Sequence, residues 1–355
     1  MKLVYILAAI LIFGLLVAIH ELGHFLAAKL CGVKVNEFSI GMGPLVWHKE
    51  TEETQYSLRA LPLGGFCAME GETEESEDER GFLRQGFWKK LLILAAGSLM
   101  NFLAGVLILL VLYAGTNYVL SDVVVGLAPE FEQTGEYGLM EGDRIYKVNG
   151  YRTYLQGDAS LFLSYAGETA DLEVVRDGRH IRLEDLPRRT YTSMDGVTPY
   201  TGFGIYVGVQ AEEATLLGKL QYTAYNALDF VQLVWFSLAQ IVGGNAGMQD
   251  LSGPVGIVST ITEVGVQAET ALDAWSQIFY FAAMLAVNLA VMNLLPLPAL
   301  DGGQIFFLAV DSACLLLFKR KIPQKYQAWV NTFGFALLMG LMLMITFNDV
   351  FRLFQ

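Results

Sequence analysis

Four long runs free of charged residues dominate the chain: Leu3–Ile19, continuing past a polar cluster to Leu30, then Leu91–Ala114, Ala274–Leu300 and Tyr326–Asn348. A hydrocarbon layer about 30 Å thick takes roughly 20 helical residues to cross, so each run predicts a transmembrane helix. The first follows Lys2 in the manner of a signal peptide, but it is longer than a signal core and leads into His20-Glu21-Leu22-Gly23-His24 without a small-residue cleavage site. It is expected to remain in place as a span. A fifth stretch, Ala214–Val242, carries Lys219 and Asp229. One more crossing would invert everything after it, so this stretch is expected to lie in the outer interface.

Period-two patterns fill two of the intervals. Before the second run, Val33–Phe38 and Thr54–Arg59 alternate, with Gly41, Gly43, Gly64 and Gly65 between or beside them; this predicts a β-hairpin that dips into the membrane. After the second run, β-rich strings are separated by Glu141-Gly142-Asp143, Asn149-Gly150 and Asp177-Gly178. Such turns predict tight hairpins and a small β-rich domain from about Leu120 to Pro187. The fold class expected is an α-helical integral membrane protein with four transmembrane helices, a membrane-associated β-hairpin loop and one inserted β-rich extracytoplasmic domain. Its expected divisions are residues 1–30, 31–90, 91–115, 116–190, 191–273, 274–318 and 326–348.

Composition agrees with the spans, since the 355 residues are 54% hydrophobic and only 17% charged, outside the usual range of soluble domains. A net charge of -13 supplies no basic face to displace counterions, which excludes nucleic acid as an expected partner. The lipid bilayer and membrane-spanning proteins remain. Cys31, Cys67 and Cys314 are too far apart for a paired metal ribbon or a disulfide framework and read as reduced thiols. Lys and Arg gather between runs one and two and again at 319–325; positive charge stays in the cytoplasm, so both termini are expected outside. The acidic run Glu70–Glu79 reads as a solvated face.

Chemistry concentrates in the first span. His20 and His24 stand four residues apart, so on a helix both imidazoles face one way and can share a zinc ion, with Glu21 beside them to work on a water molecule. An ionisable residue in an apolar span costs about 2.5 to 3.5 kcal/mol on insertion scales and is usually functional or paired. Catalytic zinc commonly takes three protein ligands. His48 and His180 lie in the polar loop and the β-rich domain. Asp301 ends the third run within Asn-Leu-Leu-Pro-Leu-Pro-Ala-Leu-Asp-Gly-Gly, where Pro296 and Pro298 break the helix and Gly302-Gly303 let the backbone turn. Spans one and three both enter from outside, so Asp301 and His20 reach similar depths. Asp311 is the competing ligand, without the adjoining break.

The string running from Gly138 to Gly150, with Gly142-Asp143 and Val148-Asn149-Gly150, resembles a bacterial PDZ domain. As a whole the chain resembles bacterial site-2 intramembrane zinc metalloproteases of the RseP type. The residues carrying this likeness are His20–His24, the VNEFSIGMGP and ALPLGGFCAM strings, GDRIYKVNG, LSGPVGI at 251–257 and NLAVMNLLPLPALDGG at 288–303. Longer members of that family carry two PDZ domains, and this chain has room for one. The resemblance implies Zn2+ held by His20, His24 and Asp301, Glu21 as catalytic acid/base, and Asn288 and Asn293 holding the substrate backbone. It also implies the bacterial cytoplasmic membrane, with the active site towards the cytoplasm, and regulated intramembrane proteolysis of anti-sigma factors and remnant signal peptides. Within the first loop, Tyr56, Gly64 and Gly65 are the expected substrate-binding positions, since an extended substrate can add to a strand edge there. A PDZ-containing adaptor without peptidase activity and a transporter are the alternatives; the latter lacks an inverted repeat.

Overall fold

A computed structural model of the chain describes residues 2–72, 76–193, 197–245, 247, 252–319 and 323–352. Residues 73–75 of the acidic run, 320–322 of the basic loop and Leu251 of the LSGPVGI string lie outside the described residues. The chain forms two compact units, one from residues 1–108 and 246–355 and the other from residues 109–245.

In the first unit, helix α1 (Lys2–Cys31) carries the histidines and is followed by strands β1 (Val35–Glu50) and β2 (Gln55–Met69). The two strands pair twice, because each is bent back on itself. Phe38 faces Cys67 on one side and Tyr56 on the other, and Tyr56 faces Lys49 in turn. The 55–58 and 35–40 segments are therefore interior, and the 65–69 segment forms an edge. Phe25, Phe38 and Tyr56 stack on one another within a core that also holds Val33, Val35, Cys67, Phe82 and Ile93. Helix α2 (Phe87–Ala114) packs against α1 backbone to backbone, since a Cβ on Gly23 would sit 2.4 Å from the Ala96 carbonyl oxygen. Close approach through small residues is how helices associate where lipid offers no hydrophobic drive.

The second unit is built on strands β3 (Tyr118–Leu127), β4 (Arg144–Val148), β5 (Tyr151–Arg152), β6 (Thr169–Arg176) and β7 (Arg179–Pro187), with helix α3 (Asp158–Ser164) between β5 and β6. A separate ribbon pairs β8 (Arg189–Thr192) with β9 (Pro199–Gly202), and β10 (Ile205–Glu213) returns to the main sheet, whose order is β10-β3-β4-β6-β7 with β5 on β4. Two of the expected turns join strands. Asn149 and Gly150 have φ of 50° and 82° between β4 and β5, and Asp177 and Gly178 have 50° and 76° between β6 and β7, the left-handed values such turns need. The sheet extends beyond the expected limit at residue 190. Strand β10 pairs with β3 from Ile205↔Leu127 to Glu213↔Tyr118, a closure with no local turn to announce it. Helix α4 (Leu216–Val242) lays Phe236 against Tyr151, Phe162 and Tyr165, and the Gln232 side chain exchanges hydrogen bonds with the Arg152 backbone.

Back in the first unit come α5 (Pro254–Gln267), α6 (Ala271–Asn293), α7 (Asp301–Phe318) and α8 (Gln324–Arg352). The buried Asp349 carboxylate of α8 accepts the Gly253 and Gly256 amides at 2.9 and 2.8 Å and so caps α5 from another helix. Among the described residues five helices, α1, α2, α6, α7 and α8, are long and apolar enough to cross a membrane by length and composition; α4 is not among them. The count differs from the expected four because the expected third span, residues 274–318, is two helices. Pro296 and Pro298 lack amide donors, Ala299 takes a left-handed φ of 71°, and α7 starts afresh at Asp301.

Candidate metal centre

The helical repeat puts His20 and His24 on one face of α1, both buried, with their Nε2 atoms 3.2 Å apart. The break before α7 delivers Asp301 to the same point: its Oδ2 lies 3.1 Å from His20 Nε2 and 3.3 Å from His24 Nε2. Three ligands at about 2.0–2.2 Å around a tetrahedral ion are separated by about 3.3 Å, so the three atoms have the spacing of one face of a zinc tetrahedron. Asp301 Oδ2 is buried with no hydrogen-bond donor of its own, an orphaned acceptor that a cation satisfies. Among the described residues this is the one His/Cys/Asp/Glu group assembled to hold a metal. Asp311, ten residues along α7, accepts from Gln327 at 2.7 Å and takes no part. His180 pairs with Glu173 in the other unit.

Partners behind the ligands fix their ring orientations. His24 Nδ1 lies 2.8 Å from the Ile93 carbonyl oxygen; with Nε2 turned to the metal, Nδ1 carries the proton and donates it to that carbonyl. His20 Nδ1 lies 3.5 Å from Asn293 Nδ2. With Nε2 on a metal, Nδ1 carries a proton, so the Asn293 amide turned over by 180° presents its oxygen as acceptor and leaves its NH2 for another partner. Asn288 precedes Asn293 by five residues, about 140° around a 3.6-residue helix, and among the described residues no hydrogen bond joins it to the centre.

Helix α2 forms the wall behind the histidines. A Cβ on Gly97 would stand 2.4 Å from His24 Nε2 and 2.8 Å from His20 Cε1, so only glycine fits at this position. Glu21 accepts the backbone amide of Cys67, and a Cβ on Gly65 would lie 3.4 Å from Glu21 Cγ and 2.8 Å from the Ser39 carbonyl oxygen. The free edge of β2 thus borders a cavity of about 350 Å³ that holds His20, Glu21, His24 and Asp301, with Phe66, Met69, Glu72, Leu94 and Gln304 around them. Burial, with Glu21 and Glu72 nearby, pushes the Cys67 thiol up to about 12, so it stays protonated and does not compete as a thiolate ligand.

Of the three loop residues expected to meet substrate, Gly65 alone abuts the Glu21 side chain. Tyr56 is interior to the curled sheet, its ladder shared between Phe38 and Lys49 and its ring packed on Phe25, so it presents no free edge. Gly64 has a φ of 91° and the Met42 side chain against it, which makes it a backbone-shaping position. The roles of Gly97, the Ile93 carbonyl and the Cys67 amide were not visible in the sequence. For Gly97 the signal was the Ala95-Ala96-Gly97-Ser98 cluster of small residues in a span.

The sequence profile of peptidase family M50 matches residues 8–341. The chain belongs to peptidase family M50. Relatives cover the M50 protease almost end to end. A Clostridium perfringens protein assigned by name to the zinc metalloproteases is 34% identical over 348 residues, 98% of each chain. The zinc metalloprotease RasP of Shouchella clausii is 30% identical with 99% of each chain covered. The regulator of sigma-W protease RasP of Bacillus subtilis is 28% identical over 98% of this chain and 99% of its own. The M50 protease is a zinc-dependent metalloendopeptidase, a hydrolase of peptide bonds, and its several long apolar helices make it a multi-pass membrane protein. The adaptor and transporter readings are set aside.

Proposed function

We propose that this M50 protease cleaves single-span membrane proteins within or next to the bilayer, with His20, His24 and Asp301 holding zinc and Glu21 as the acid/base. The observation that carries the reading is the position of the metal cluster inside an apolar helix of 30 residues, joined there by the first residue of another apolar helix. In this reading the chain crosses four times in a bacterial cytoplasmic membrane, α6 and α7 being two parts of one interrupted crossing. Both termini and the β-rich, PDZ-like unit lie outside and the metal centre lies towards the cytoplasm. A relative is named for regulating sigma-W, which supports membrane-anchored anti-sigma factors as one substrate class, with remnant signal peptides as another.

Zinc, when bound, polarises the scissile carbonyl and lowers the pKa of water beside it. Glu21 takes the proton from the attacking water and later delivers it to the departing amine; the Cys67 amide holds its carboxylate in place. A helical substrate hides each carbonyl in a bond to the amide four residues on, so its segment must be drawn out into an extended form. The 65–69 edge of β2, next to Glu21, is suited to receive such a segment by strand addition. A single-span substrate containing Gly near the scissile bond should therefore turn over faster than an all-Leu span, because Gly gives up about 1 kcal/mol of helix preference. Cleavage of reconstituted substrates measures this, and equal turnover would remove unwinding from the account. Failure of the purified enzyme to cut any membrane-spanning substrate would remove the proposal.

Asn293 has a separable role as the acceptor for His20 Nδ1–H. Asn293→Asp keeps an oxygen there and should bind zinc nearly as the native chain does, whereas Asn293→Leu should weaken zinc binding about 10- to 100-fold, as loss of such a partner typically does. Competition against a chelator of known affinity reads this directly. Native zinc affinity in Asn293→Leu, with activity alone reduced, would assign Asn293 to the substrate backbone only.

A further inference from the structure

Three buried carboxylates of the second unit, unlike Asp143 with Arg176 and Glu173 with Arg182, have no Lys or Arg ion pair among the described residues, and the proteolytic chemistry does not use them. Asp122 on β3, Asp158 at the start of α3 and Asp229 on α4 are 3%, 6% and 1% exposed. Asp122 is fully occupied: Oδ1 accepts the Gly157 amide and Oδ2 the Ala159 amide, each at 2.8 Å. Asp158 Oδ2 accepts the Tyr154 and Leu155 amides at 2.7 and 2.8 Å, and its carboxyl group meets that of Asp229 within hydrogen-bond reach. Asp229 has no donor at all for Oδ1.

Two carboxylates in contact in a dry site cannot both be ionised. The charge belongs on Asp158, where two amides stabilise it, and the proton on Asp229, which then donates to Asp158. The groups that face the pair are Asp122 from β3 and Tyr222 from two turns earlier on α4. Neither is a cation, and Asp158 and Asp229 form no Lys or Arg ion pair among the described residues. Asp229 stands midway along the docked face of α4, between Asn226, which donates to the Tyr113 hydroxyl, and Gln232 and Phe236, which hold the β-rich domain.

We infer that the Asp158–Asp229 pair is a proton-operated latch, holding α4 against the β-rich domain while one proton is shared and loosening the middle of the helix when that proton is lost. Burial first, then the Asp158 charge, pushes the Asp229 carboxyl far above the usual carboxylate range. The docked helix therefore keeps a proton that an undocked one gives up. Docking is at full strength below the ordinary Asp value, weakens as pH rises above it, and levels off once the raised value is passed. The device rests on the second unit alone and is independent of the proteolytic reading.

Hydrogen exchange on the full-length chain, in detergent or bilayer discs, tests it at about pH 6 and about pH 9, with rates corrected for the intrinsic pH dependence of exchange. Amides of residues 226–236 should lose at least about tenfold in protection at the higher pH, while those of β6 and β7 stay constant. Asp229→Asn supplies a permanent NH2 donor to Asp158 and should keep its protection at both pH values. Asp158→Asn removes the charge that adds to burial in making the second ionisation costly and should shrink the pH response without abolishing it. Equal corrected protection of the native α4 at both pH values would overturn the latch, as would an undiminished pH response in either variant. Should one variant fail to fold, the native comparison and the other variant still decide.

Discussion

Glu21→Gln should bind zinc as the native chain does and lose between about a hundredfold and about ten-thousandfold in cleavage, the usual contribution of a positioned acid/base. The amide is the same size as the carboxylate, and His20, His24 and Asp301 are untouched, so the metal stays. What disappears is the group that accepts a proton from water. The Cys67 amide, which the carboxylate accepts in the native chain, can still be met by the glutamine oxygen, and the β2 edge should stay in place. Metal analysis of the purified variant beside a peptide-bond cleavage assay checks both halves. Activity near that of the native chain would remove Glu21 from the chemistry, and loss of zinc together with activity would make it a structural support for the ligands. The same variant, able to bind but not to cut, is the natural bait for membrane-protein substrates.

Gly97→Ala should lose the metal itself. Alanine favours a helix over glycine by about 1 kcal/mol, so α2 would if anything be locally more stable. The added methyl group, however, falls 2.4 Å from His24 Nε2 and 2.8 Å from His20 Cε1, closer than carbon and nitrogen can approach. Either the ligand atoms move off the metal position or α2 moves off α1, and the second would give up the close packing of Gly23 on the Ala96 carbonyl. Zinc should fall well below one per chain, with cleavage falling alongside. Gly340→Ala is the control: nothing lies within 4 Å of a Cβ at that position on α8, and zinc and activity should be native. A fully loaded, active Gly97→Ala chain would mean that α2 does not wall the site.

The pair His20 and His24 was legible in the sequence because a helix turns a four-residue spacing into a shared face, and Asp301 because prolines and glycines advertise a broken helix. The three meet in space for those reasons. Less was legible where contact depends on how distant segments pack. The curling of β1 and β2 turned Tyr56 inward and left 65–69 as the edge, since alternation shows which residues share a face but not which strand is outermost. Strand β10 joins β3 across some 80 residues without a turn signal. Residues 274–318 read as one span and are two helices by backbone, because Pro296 and Pro298 stop a helix without making the stretch polar. The partners of the histidines include a backbone carbonyl, at Ile93, which no residue type can announce.

The central claim, that α1 and α7 together hold one zinc ion, is tested most directly by locating zinc through its anomalous scattering in crystals of the purified chain. The account predicts one peak about 2.0–2.2 Å from His20 Nε2, His24 Nε2 and Asp301 Oδ2, on the side that faces Glu21. A zinc peak out of reach of Asp301, or one held by Asp311 in its place, would contradict it.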